Sequence, residues 1–172
     1  MKIGILSDTH KKTKLAKKAI KHLIKNGAEF LIHAGDIVEP EVLELLKNSG
    51  LEYRAVYGNN DAHLASYHNS YFLVQEPYYF KLANTKFKLM HLPFYMNPDA
   101  DVVIFGHTHI FECDFKNNTL FLNPGETCAR NKSLTEFAML EIENNTYKVS
   151  YYSKDPKEEL FNESHFVFER TL

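Results

Sequence analysis

The sequence predicts an α/β fold, with a parallel sheet covered by helices first and a strand-rich, partly antiparallel region after it. Two observations carry this. Over residues 2–57, short apolar runs alternate with segments whose apolar residues recur at helical spacing, as parallel strands joined by helical crossovers require. Beyond about residue 70 the helical spacing stops, and apolar runs follow one another across asparagine-rich turns.

KIGIL (2–6) predicts the first strand, and TKLAKKAIKHLIKNG (13–27) the first helix. In that helix Leu15, Ala19, Leu23 and Ile24 recur at helical spacing, and Gly27 is the stop. EFLIHA (29–34) predicts a strand, PEVLELLKNSG (40–50) a helix opened by Pro40 and closed by Gly50, and LEYRAVY (51–57) a third strand. Further strands are expected at YYFKLA (78–83), KFKLMH (86–91), VVIF (102–105), IFECDF (110–115), TLFLN (119–123), LTEFAMLEI (134–142) and TYKVSYY (146–152). The pairs Asn84-Thr85, Asn117-Asn118 and Asn144-Asn145 mark turns between them. A single domain over 1–172 is expected, with 153–172 as a C-terminal extension that the pattern does not place.

The 172 residues suffice for one core, and 44% hydrophobic content excludes wholesale disorder. A formal charge of −2 offers no basic field for a long nucleic acid. Cys113 and Cys128 lack disulfide or metal-pair spacing and are expected as free thiols. With no signal-peptide pattern and no membrane-length apolar run, a cytoplasmic location without membrane association is expected.

The chemistry lies at the strand ends. The first strand runs into Ser7-Asp8-Thr9-His10, the second into Gly35-Asp36, and the third into Gly58-Asn59-Asn60-Asp61. KFKLM ends on His91, and VVIF in Gly106-His107-Thr108-His109. In α/β sheets the carboxyl ends of the strands form the ligand crevice, so five such ends can converge on one spot. Two Asp, one Asn and four His make a nitrogen and oxygen shell without sulfur. That shell suits Mn, Fe, Zn, Co or Ni better than Ca or Mg. Seven ligands exceed one tetrahedral site but suit two ions sharing a carboxylate, with Asp36 as the natural bridge.

Asp8-Thr9-His10, Gly35-Asp36, Gly58-Asn59-Asn60-Asp61, His91 and Gly106-His107-Thr108-His109 together resemble the calcineurin-like metallophosphoesterases, in the small bacterial and archaeal phosphodiesterase branch. The resemblance covers about residues 1–152, and Asn123-Pro124-Gly125 ahead of Arg130 looks like that branch's late loop. It implies a four-layer α/β/β/α sandwich of two mixed sheets flanked by helices. It also implies two divalent ions per chain, with manganese first and nickel, iron, zinc or cobalt behind it. Asp8, His10, Asp36 and His109 would hold one ion; Asp36, Asn59, His91 and His107 would hold the other. The implied function is a metal-dependent phosphodiesterase acting on a small phosphoester through a metal-activated hydroxide, without a protein nucleophile. Ser7 and Thr9 then shape the loop.

Asn60 stands where many members carry the histidine that protonates the leaving group. Asn60, Asp61 and His63 are therefore the candidate catalytic residues, with His68 nearby, and Asn59, Asn60 and Arg130 the candidate substrate contacts. His91 is followed by Leu-Pro where the branch commonly has Gly-His. His91 and His107 are only 16 positions apart, with Pro93 and Pro98 between, so the usual crossover helix is expected to be absent and one rim of the site open. His33 is expected as a structural imidazole and His22 on a solvated helix face; Lys11-Lys12-Thr13-Lys14 reads as a solvated helix start, with attraction of anionic substrates as the alternative. The stretch Gly35-Asp36-Ile37-Val38-Glu39 lacks the arginine of the protein phosphatases. The competing class is a non-catalytic scaffold for protein partners, as in the retromer subunit of this fold, but here all seven ligand positions are filled. No oligomeric state is implied.

Overall fold

The computed structural model describes residues 1–82 and 84–171. In chain order its elements are β1 (Lys2–Leu6), α1 (Thr13–Lys25), β2 (Phe30–His33), α2 (Pro40–Lys47), β3 (Glu52–Val56) and, after a 3₁₀ turn at Ala62–Tyr67, β4 (Leu73–Val74). There follow β5 (Tyr78–Leu82), β6 (Thr85–Leu89), β7 (Val102–Ile104), β8 (Phe111–Lys116) and β9 (Thr119–Pro124). The last are β10 (Thr135–Glu143), β11 (Thr146–Lys154) and β12 (Asn162–Glu169). Of the expected YYFKLA strand, Ala83 lies outside the described residues, as does Leu172 at the end of the extension.

Among the described residues the strands form two mixed sheets, ordered β12-β11-β10-β1-β2-β3-β4 and β5-β6-β7-β9-β8. β1, β2, β3 and β4 run parallel, as do β6, β7 and β9. The apolar residues sort by layer, because successive strand residues face opposite sides. Leu6, Leu31, Ala55 and Phe137 face α1 and α2. Ile3, Ile5, Ile32 and Val56 meet Phe87, Leu89, Ile104 and Leu122 between the sheets. On the outer face of the second sheet, Val103, Phe105 and Phe121 pack under Met90, Met96 and Ala100. That last cover is the loop after His91, with no helix in it, as the short His91–His107 spacing predicts. It leaves Phe94 73% and Tyr95 57% exposed.

Three details differ from the sequence pattern. The buried stripe of α1 is Ala16, Ala19, Ile20 and Leu23, rotated so that Ile24 is 37% exposed. His22 is not on a solvated face: its ring packs against Phe137, Tyr152 and Phe161, at centroid distances of 5.5, 4.6 and 4.7 Å. Residues 162–169 add a strand antiparallel to β11. Phe166 and Phe168 of that strand reach Phe111 and Phe115 of the second sheet, each at 5.5 Å, and so tie the sheet edges together. No helix among the described residues is long and apolar enough to cross a membrane.

Candidate metal centre

The parallel strands of both sheets deliver their carboxyl ends to one place. Asp8, Asp36 and His91 are buried there, with ligand atoms within 4.8 Å of one another; His10 and His109 form a neighbouring group. The backbone is bent hard to achieve this. Asp8, His10, Asp36, His107 and His109 all have φ between 42° and 68°, a region that side chains other than glycine enter at a cost of about 1–3 kcal/mol each. Glycines allow the loops to interlock. A Cβ on Gly58 would lie 2.1 Å from the Asp36 nitrogen, and one on Gly106 2.1 Å from Ser7 Oγ.

Asp36 is the centre of the arrangement. Its Oδ2 is 3.6 Å from His10 Nε2, and its Oδ1 is 3.5 Å from His91 Nε2. Asn60 holds the carboxylate in this orientation, donating its backbone N–H to Oδ1 at 3.0 Å and its side-chain amide to Oδ2 at 2.7 Å. His91 is fixed from behind: Nδ1 donates to the Ala34 carbonyl at 2.8 Å, while the His91 and Leu92 N–H groups both donate to Glu76. In the neutral ring this leaves the lone pair of Nε2 facing Asn59 Oδ1 at 3.0 Å. His107 Nδ1 approaches the same Asn59 oxygen at 3.0 Å.

The other group has the same character. His109 Nδ1 donates to the buried Glu126 carboxylate, which turns Nε2 toward Asp8 Oδ1 at 3.2 Å and His10 Nε2 at 3.4 Å. Asp8 Oδ1 is buried and has no hydrogen-bond partner among the described residues. Ring nitrogens and carboxylate or amide oxygens thus crowd to within 3.0–3.6 Å of one another around a buried carboxylate oxygen, an arrangement that a cation would satisfy, so the donor set fits divalent metal ions. The charges respond to the crowding. Burial would raise the Asp8 pKa, but His109, His91 and Ser7 outweigh it and hold the carboxyl below its usual range. The Asp8 carboxylate is the largest influence lifting His109 to about 10. Burial lowers His10, and the charge of Arg130 acts in the same direction.

Other residues named from the sequence sit differently. Asp61 is not free for catalysis: its carboxylate accepts the N–H groups of Ile37 at 3.0 Å, Val38 at 2.7 Å and Gly58 at 2.8 Å, pinning two loops together. His63 is likewise occupied, with Nε2 donating to the Val38 carbonyl at 2.7 Å, and His68 bonds locally to Ala65. Arg130 is exposed and lines a pocket beside His10 and Asn60. Ser7 and Thr9 do shape the loop, through the Ala34 and Ile37 carbonyls. His33 is structural: Nδ1 accepts the Gly35 N–H at 3.2 Å, and Nε2 contacts Thr9 Oγ1 at 3.1 Å.

Sequence reasoning missed Glu126 and Glu76, the carboxylates behind His109 and His91. The signal for Glu126 was present: β9 is parallel to β7, and its end runs into Pro-Gly-Glu at the same edge. It also missed a sulfur. Both cysteines are free, but buried Cys128 has Sγ within 4.8 Å of ligand atoms of His10 and His109.

The profile of the calcineurin-like phosphoesterase superfamily domain matches residues 1–145. The chain belongs to that superfamily. Enzyme class follows from membership: a phosphoesterase, of a family that works with divalent metal. A phosphodiesterase of Methanocaldococcus jannaschii is 30% identical over 161 residues, covering 86% of this chain and 97% of that protein. Among solved structures, one described as a novel archaeal phosphodiesterase superposes with a TM-score of 0.73 at 26% identity, covering 96% of this chain and all of that one. Vacuolar protein sorting 29 from Cryptosporidium parvum superposes with a TM-score of 0.77, at 20% identity and with 98% of each chain covered, a likeness of fold. The two-sheet metallophosphoesterase sandwich expected from the motifs is thus the fold this superfamily member has, with α1 and α2 over the first sheet and, among the described residues, a loop where the outer helical layer of the second sheet was expected.

Proposed function

We propose that this superfamily member is a phosphodiesterase that hydrolyses a small phosphoester at a dinuclear metal centre. Asp8, His10, Asp36 and His109 would hold one ion, and Asp36, Asn59, His91 and His107 would hold the other. The observation that carries this is the position of Asp36, whose two carboxylate oxygens face imidazoles of two different groups. Two divalent ions, with manganese first among the candidates, would supply Lewis acidity that neutralises phosphoryl charge and acidifies a water for in-line attack.

The chain's own residues supply the rest. Ala34 and Glu126 fix the rings of His91 and His109, so that both present Nε2 inward. Asn60 orients Asp36. His107 is exposed, so a substrate could reach it from solvent. Ser7 and Thr9 are held by backbone carbonyls through their hydroxyls, which fits a loop-shaping role and not that of a nucleophile.

The test is turnover of bis(p-nitrophenyl) phosphate by metal-loaded protein, with His107→Ala losing that turnover while remaining folded. A folded, metal-loaded wild type inert toward every ester in a phosphoester panel would support the scaffold function instead. Turnover untouched by His107→Ala would identify a contaminant.

A further inference from the structure

Beside the metal centre lies a pocket of about 440 Å³, of the size that takes a small ligand. His10 and Asn60 are in its lining, and Lys11, Lys12 and Arg130 bring three cations to it without any carboxylate there. Among the described residues none of the three is ion-paired, so no carboxylate neutralises them at the pocket. The lysines also stand at the unfavourable end of α1. A helix amino terminus is the positive end of its dipole and favours acids, yet the first turn of α1 has none and Lys11, Lys12 and Lys14 surround it. Three cations near a positive helix end, around a pocket whose lining includes the candidate ligand His10, make surroundings that suit an anion.

We propose that this pocket selects phosphodiesters in which one ester arm carries a further phosphate. This rests on the phosphodiesterase reading above and names its substrate class. The scissile phosphate lies at the metal centre, and the second phosphate lies among Lys11, Lys12 and Arg130. No chemistry occurs at the second phosphate, which contributes binding alone.

Two diesters with the same leaving group test this: ethyl p-nitrophenyl phosphate and its 2-phosphoethyl counterpart. The wild type at low ionic strength should show a KM about tenfold lower for the phosphorylated arm, a difference that shrinks as salt screens the exposed cations. In the Lys11→Ala/Lys12→Ala/Arg130→Ala variant, with folding checked by thermal unfolding, the ratio of the two KM values should approach one. A readout without metal or turnover is calorimetric binding of ethyl phosphate to chelated protein, present in the wild type and lost in the triple variant. Equal KM values in the wild type, or a ratio that survives the triple variant, would overturn this inference and leave the phosphodiesterase reading standing. Turnover of neither diester would overturn that reading, and ethyl phosphate binding would then decide the pocket by itself.

Discussion

Asn60 holds both oxygens of Asp36, one through its backbone N–H at 3.0 Å and the other through its side-chain amide at 2.7 Å. The residue at the usual acid position of the superfamily is thus engaged in orienting the shared carboxylate, and an amide does not titrate near neutral pH. Its two neighbours named as acids are occupied as well, Asp61 by three backbone N–H groups and His63 by the Val38 carbonyl.

The expected consequence is a steep dependence of rate on leaving-group pKa. General acid catalysis contributes about 10²–10⁴-fold, and it matters for an alkoxide far more than for a nitrophenolate. Asn60→His should therefore raise the alkyl-to-aryl rate ratio. A diester series spanning leaving-group pKa, run on both proteins at checked metal occupancy, measures this. A shallow wild-type slope would show that another acid is already in place.

Asp36→Asn should be more damaging than loss of a ligand on one side alone, because its two oxygens face both groups. Metal content by mass spectrometry should fall for both ions in Asp36→Asn and mainly for one in His107→Ala. Equal losses in the two variants would remove Asp36 from the shared position.

Glu126→Gln keeps the shape but removes the charge behind His109, and the metal affinity of that group should fall by about 10–100-fold. Competition with a chromophoric chelator gives the affinity. The Asn131 and Lys132 N–H groups also donate to Glu126, at 2.6 and 2.8 Å, so a thermal midpoint must be recorded beside it. An unchanged affinity in a folded variant would mean that Glu126 only ties the loop.

The contrast between Glu126 and Asp61 shows what was legible in the sequence. Asp8, His10, Asp36, Asn59, His91, His107 and His109 stood out because each closes an apolar strand run, and parallel strands bring such ends together. Glu126 was hidden in Pro-Gly-Glu, which reads as a turn until β9 is known to lie parallel to β7. Asp61 and His63 adjoin a motif in the chain, but chain proximity does not say where a side chain points. Both turn back to satisfy backbone groups of the loop at Ile37 and Val38. β12 gave little warning because it is an edge strand with only Phe166 and Phe168 turned inward. His22 misled because its lysine neighbours are solvated while its own ring is not.

His33 gives the metal-free protein a pH dependence. Burial pushes its pKa down to about 3, whereas in the unfolded chain it titrates near 6.5. Between those values the unfolded state binds more protons, so stability falls as pH drops, with a limiting slope of about 1.4 kcal/mol per pH unit. Above pH 6.5 both states are neutral at His33 and it adds no slope. Urea unfolding from pH 7 to 4 should show this loss in the wild type and a shallower one in His33→Gln. Parallel curves would mean that His33 is protonated in the fold.

Metal titration of chelated protein decides whether catalysis depends on two ions. Stripped of ions, the protein should not hydrolyse bis(p-nitrophenyl) phosphate, and added manganese should restore turnover that saturates at two equivalents per chain. Full activity after rigorous removal of metal would contradict a phosphodiesterase built on these seven ligands.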